Sequence, residues 1–116
     1  MKILHINSYY SGSMFYKNLY DYQYRSGIDI SVFVPLPSSI SDRKDFGSYT
    51  TLSKNHTKYD RFIFHLKQNK IYSDIINKYD IKNFTISHAH SLFTNGYIAM
   101  KLKKDFGIPY IVAVRN

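Results

Sequence analysis

The chain has 116 residues, 44% hydrophobic and 21% charged, with a formal net charge of +8 and no cysteine. That is enough for one small core; it excludes disulfides and thiolate metal sites, and no run approaches the ~18 apolar residues of a membrane span. The charge does not bring nucleic acid with it: lysines are spread over every segment, four of the 16 basic residues are arginine, and no recognised binding motif accompanies them.

The basic surface suits peripheral contact with an anionic membrane face instead. Met1-Lys-Ile-Leu4 leads straight into a strand with no signal-peptide hydrophobic region, so a cytoplasmic location is expected, peripheral at the inner membrane face. Five histidines without a neighbouring carboxylate cluster give no expectation of a metal, and no cofactor is expected.

Lys2 to Ile6 reads as a buried first strand, apolar on both faces, followed by a polar turn from Asn7 to Ser13 with one glycine, Gly12. A helix is predicted over Met14 to Arg25, capped by Ser13 or Ser11. Phe15, Leu19 and Tyr22 recur at helical spacing and are expected to face the sheet. Tyr16, Tyr20 and Tyr24 form a second stripe, read as packing on the helix flank. Gly27 stands where a helix-ending glycine belongs. Ile28 to Val34 is the second strand, closed by Pro35 and Pro37, and Pro37 to Asn55 reads as a long excursion with little regular structure. Arg61 to Leu66 is predicted as a short third strand and Lys67 to Tyr79 as a second amphipathic helix.

Phe84 to His88 is the fourth strand and hands over to His88-Ala-His90. A third helix starts near Asn95, burying Ile98, Ala99, Leu102 and Phe106 and exposing Lys101, Lys103 and Lys104. Gly107 ends it, and Tyr110 to Val114 is the fifth strand. Strands alternating with helices imply an α/β fold: a Rossmann-like parallel sheet of about five strands, order 3-2-1-4-5, with helices on both faces.

Several chemistries of such sheets are absent. There is no G-x-G-x-x-G after the first strand, no P-loop, no acidic cluster of a phosphoacceptor domain and no G-x-S-x-G elbow. What stands out is Ile86-Ser-His-Ala-His-Ser91. Alternation puts positions 88 and 90 on one face at the carboxyl end of a parallel strand, where ligands bind. Ser11-Gly12-Ser13, opening the first helix, suits a phosphate or a sugar hydroxyl, or serves as a plain capping loop. His5 reads as a packed core residue with one hydrogen bond, His88 as a strand-end imidazole pinning a loop, and His56 and His65 as surface or edge residues. His90 is left between a structural and a cleft-lining role.

The opening Met1 to Ile6, the Arg25-Ser-Gly-Ile-Asp-Ile-Ser-Val32 passage, Ile86 to Ser91 with Gly96 and Ala99, and Gly107-Ile-Pro-Tyr-Ile-Val112 occur in an order that resembles the N-terminal domain of family 4 (GT-B fold) glycosyltransferases. The resemblance covers essentially the whole chain. It implies the acceptor-side domain of a retaining enzyme that moves a sugar from a nucleotide-diphosphate sugar to an acceptor hydroxyl, in cell-surface polysaccharide or glycolipid synthesis. Residues 1–116 would then be one truncated Rossmann-like domain lacking the C-terminal donor-binding domain, and inactive alone. Substrate-binding positions implied are Ser11, Gly12, Ser13, His90, Arg115 and Asn116, with no catalytic residue assigned. The chain departs from the family in having one glycine after the first strand and Asn116 where a histidine is usual. Another GT-B-fold enzyme, such as a nucleotide-sugar epimerase, and a non-catalytic α/β interaction module remain open.

Partners expected on this reading are a sugar or lipid-linked acceptor and the missing domain. A truncated sheet would leave Tyr110-Ile-Val-Ala-Val114 as an uncharged, β-prone edge that templates pairing. Sedimentation at micromolar concentration should therefore show self-association, most simply a dimer; a monomer would mean that this edge needs no cover.

Overall fold

In a computed structural model that describes residues 1–8, 14–37, 47–56 and 63–113, the elements follow the order β1 (Lys2–Ile6), α1 (Met14–Arg25), β2 (Asp29–Pro37), β3 (Thr50–His56), α2 (Phe64–Lys78), a 3-10 turn (Ile81–Asn83), β4 (Ile86–Ala89), α3 (Thr94–Phe106) and β5 (Tyr110–Val112). The strands form one five-stranded sheet of order β3-β2-β1-β4-β5, parallel throughout. The fold is the Rossmann-like α/β layout that the alternation of strand and helix patterns implies. No helix among the described residues is long and apolar enough to cross a membrane.

Side chains of the central strands go alternately to two cores. Leu4 and Ile6 of β1 and Phe33 of β2 join Ile71 and Ile75 of α2 and Ile98, Ala99 and Leu102 of α3. Ile30, Val32, Val34 and Leu36 of β2 face the other way, against Tyr16 and Tyr20 of α1 and Tyr49. A strand buried on both faces explains the unbroken apolar run of β2. Gly27 and Gly107 both take positive φ, as helix-ending glycines do, and the Gly107 amide bonds the Lys103 carbonyl at 2.8 Å.

Three sequence expectations are corrected. The third strand is Thr50–His56, not Arg61 to Leu66; Phe64, His65 and Leu66 open α2 instead, which starts earlier than expected. The true strand is polar because it is an edge, and an edge needs little apolar surface. Its pairing with β2 gives regular structure to part of the expected Pro37–Asn55 excursion. Second, β2 runs through Pro35 to Pro37 rather than stopping at Val34. The Val32 amide bonds towards β3 and the Phe33 carbonyl towards β1, so the alternation aims Pro35 and Pro37 at the β1 side, where β1 has already ended at Ile6. Missing N–H groups cost nothing there.

Third, α1 is turned the other way about its axis. Tyr16 and Tyr20 are buried, while Phe15 and Tyr22 are 60% and 73% exposed and Leu19 packs only partly. Tyrosine buries well when its hydroxyl finds a partner, and Tyr20 finds one. His56 lies on the edge strand and His65 at the surface, as expected, although His56 is buried there.

Side-chain bonds tie the layers together. Tyr49 donates to Asp21 at 2.6 Å and Lys17 bonds the same carboxylate at 2.9 Å, which together hold the Asp21 pKa below its ordinary value. Tyr72 of α2 donates to Asp105 of α3 at 2.6 Å. Ser53 and Asn55 of β3 bond Asp74 of α2. The packing makes a clear contrast. Phe33→Ala should cost about 3–5 kcal/mol in urea denaturation by opening the buried centre, and Phe15→Ala, on the exposed side of α1, should stay within about 0.5 kcal/mol. A large loss from Phe15→Ala would mean that α1 docks by its other stripe.

Candidate functional site

The sheet order reverses between β1 and β4: β1 leads outward to β2 and β3, and β4 to β5. In open parallel sheets the crevice outside the carboxyl ends at such a switch point is the usual ligand site. The register pairs His5 with His88, so these neighbours share a face. Alternation carries Asn7 and His90, two residues further on, to that face as well. It is the face covered by α1.

There the imidazoles converge. The His88 and His90 rings stack with centroids 4.2 Å apart and planes at 23°, and His5 lies 5.3 Å and 5.2 Å from them. One ring nitrogen from each of the three lies within 4.8 Å of the others. His5 and His90 are buried and His88 is half-buried. Tyr16 and Tyr20 pack edge-on against His90.

The proton positions follow from the partners. Gln23 Oε1 can only accept, so His5 Nε2, 2.9 Å away, donates to it. His5 is neutral: burial pulls its pKa from 6.5 to about 4, against the opposing bond from Gln23, with the His88 charge adding a smaller lowering. Its Nδ1 therefore offers a lone pair, which accepts the N–H of His90 Nε2 at 3.0 Å. That Nε2 also lies 3.1 Å from Tyr20 Oη, which accepts from Asn7 Nδ2 at 3.0 Å. His5 is thus a core residue, as expected, but with two hydrogen bonds rather than one.

Beside this cluster, α3 opens at the carboxyl end of β4. Ser91 Oγ accepts from the Asn95 amide at 3.2 Å, and the Ser91 carbonyl from the Gly96 amide at 2.9 Å. A Cβ at Gly96 would sit 3.1 Å from that carbonyl, so a glycine lets the helix settle on the strand end. The Asn95 side chain is fully buried, and neither amide atom has a hydrogen-bond partner among the described residues.

Of the residues singled out by sequence, His90 lies at the carboxyl end of β4, beneath α1, and stacks on His88. Ser11, Gly12, Ser13, Arg115 and Asn116 lie outside the described residues. The sequence reading did not gather His5, Asn7, Tyr20, Gln23 or Asn95 into the site. The signal for His5 and Asn7 was present: aligning Lys2–Ile6 with Ile86–Ala89 as parallel neighbours sets His5 against His88. No protein-family model, no curated protein and no solved structure matches the chain.

The neutral buried His5 has a consequence for stability. Above pH 6.5, the ordinary value, neither the folded nor the unfolded state protonates it; as pH falls from 6.5 towards about 4, the unfolded chain binds a proton that the folded chain refuses. Stability is therefore lost over that window, by about 3 kcal/mol in full. Urea denaturation with a chelator present, at pH 7 and at pH 4.5, should show the loss, and His5→Gln should remove most of it. An unchanged slope in the variant would place the titration elsewhere.

Proposed function

We propose that this chain is the acceptor-side domain of a retaining glycosyltransferase, which moves a sugar from a nucleotide-diphosphate sugar to an acceptor hydroxyl in cell-surface polysaccharide or glycolipid synthesis. The observation that carries the reading is the concentration of hydrogen-bonding side chains, with no carboxylate among them, at the carboxyl ends of β1 and β4: His88 and Ser91, partly exposed, over the buried Asn7, Asn95 and His90. A sugar hydroxyl both donates and accepts, so it is matched by neutral groups that do the same. An ionised pair would demand a charged substrate.

Asn95 is the sharpest part of that edge. A buried amide with no partner costs about 1–3 kcal/mol, and a polar ligand would relieve that cost. His90 and His5, buried and bonded to Tyr20 and Gln23, act as positioning residues that fix the strand ends. Gly12 is assigned by resemblance to the donor diphosphate, with Ser11 and Ser13 beside it suited to a phosphate or a sugar hydroxyl, and Asn116, with Arg115 beside it, to the reacting sugar. The rest of the donor site belongs to a second domain, where stabilising the departing diphosphate supplies much of the catalysis.

Amide-shift titration with hexose and N-acetylhexosamine glycosides, and with a polyprenyl-linked sugar in detergent, tests the reading. Shifts should centre on Asn7, Ser91 and Asn95, and the chain alone should not turn over nucleotide-sugars. Asn95→Ala should weaken acceptor binding about fivefold with little loss of stability, as expected for one hydrogen bond made only to ligand. Shifts confined to another edge, or turnover by the chain alone, would overturn it.

A further inference from the structure

We propose that His5, His88 and His90 form a binding site for one divalent transition metal of the zinc type, bridging the two central strands. The proposal does not rest on the glycosyltransferase reading, since a metal held here joins β1 to β4 whatever the acceptor.

The geometry is close to that of a three-imidazole site. On a tetrahedral zinc with Zn–N of about 2.0–2.1 Å, two ligand nitrogens stand about 3.3 Å apart. His5 Nδ1 and His90 Nε2 stand 3.0 Å apart, bridged by one proton. A metal ion would take the place of that proton, which passes to Nδ1 of the His90 ring, so that both imidazoles ligate as neutral donors. The third donor belongs to His88: one nitrogen of each of the three rings lies within 4.8 Å of the others. His88 is half-buried, and a ring rotation that moves its nitrogen by about 1.5 Å completes the set at zinc distances.

The surroundings favour the same conclusion. Metal-bound histidine commonly donates its other ring N–H to an oxygen that fixes the tautomer. Gln23 Oε1 does this for His5, turning Nδ1 and its lone pair into the cluster. Burial keeps that imidazole neutral, the ligating form, at ordinary pH. The set contains only nitrogen donors, which suits zinc, cobalt, nickel or copper and disfavours magnesium and calcium. Three protein ligands leave a fourth position for water or for a ligand at the strand ends, and Tyr20 Oη stands 3.1 Å from His90 Nε2 beside it. A carboxylate cluster, whose absence argued against a metal in the sequence, is not needed once three imidazoles meet.

Chelator-stripped protein titrated with cobalt chloride should develop the visible absorption of four-coordinate cobalt, saturating at one equivalent, and zinc chloride should displace it. Zinc should move the imidazole nitrogen resonances of His5, His88 and His90 and leave those of His56 and His65 in place. His88→Ala, at the half-buried position that folding tolerates best, should weaken binding by more than about a hundredfold while the circular dichroism is kept. Gln23→Ala should weaken it about tenfold, as loss of a tautomer-fixing partner does. No saturable uptake up to millimolar metal, equal uptake by folded His88→Ala, or zinc shifts that follow His56 or His65 would each overturn the proposal and leave a hydrogen-bonded histidine cluster.

Discussion

The pairing of β1 with β4 is the constraint on which the site depends. These strands are distant in sequence, yet their register sets Ile3 against Ile86, His5 against His88 and Ile6 against Ala89. A slip of one residue would turn Leu4 and Ile6 out of the aliphatic core and drive His5 into it. The register is therefore enforced by the face opposite the histidines. Apolar burial against α2 and α3 sets the register, and the imidazole cluster is placed as its result.

Beneath α1 the sheet buries groups that prefer water. His5, Asn7, Tyr20 and His90 are all inaccessible, and they form one chain of hydrogen bonds from Gln23 through His5 and His90 to Tyr20 and Asn7. Buried polar groups are tolerable when each finds a partner, and such a network admits few alternative arrangements. It fixes how α1 rotates about its own axis: Gln23 and Tyr20 reach the strand ends only when the Tyr16–Tyr20 side of the helix faces inward. Hydrophobicity alone does not choose that side.

This separates what was legible in the sequence from what was not. Long periodic segments announced themselves: α1 spans Met14–Arg25 as its pattern predicts, α3 begins within a residue of Asn95, and the glycines at 27 and 107 end their helices. The parallel sheet followed from alternation and the handedness of crossovers, and the strand order from taking that sheet as Rossmann-like. The failures are those of interactions between distant residues. Thr50–His56 has too little apolar character to look like a strand, because its stability is borrowed from β2 and α2. Arg61–Leu66 looks like one, although Phe64 and Leu66 are exposed on a helix. The orientation of α1 was missed because Phe outranks Tyr on any apolar scale, whereas burial here rewards a hydroxyl within reach of an imidazole and an amide. The pair at 88 and 90 was visible from local spacing, but His5 entered the site through a strand pairing that local spacing does not carry.

The two layers on either side of the sheet also differ in how freely their residues can be exchanged. The α2–α3 side is built largely from aliphatic side chains, Leu4, Ile6, Ile71, Ile75, Ile98 and Leu102, and swaps that conserve volume among such residues usually cost under about 1.5 kcal/mol. On the α1 side, a change at His5, Tyr20, Gln23 or His90 strands the hydrogen-bond partner of the residue replaced. Related sequences could therefore drift through one half of this molecule while the other admits only coordinated replacements. The chemical identity of the strand ends would persist after most of the supporting core had been rewritten.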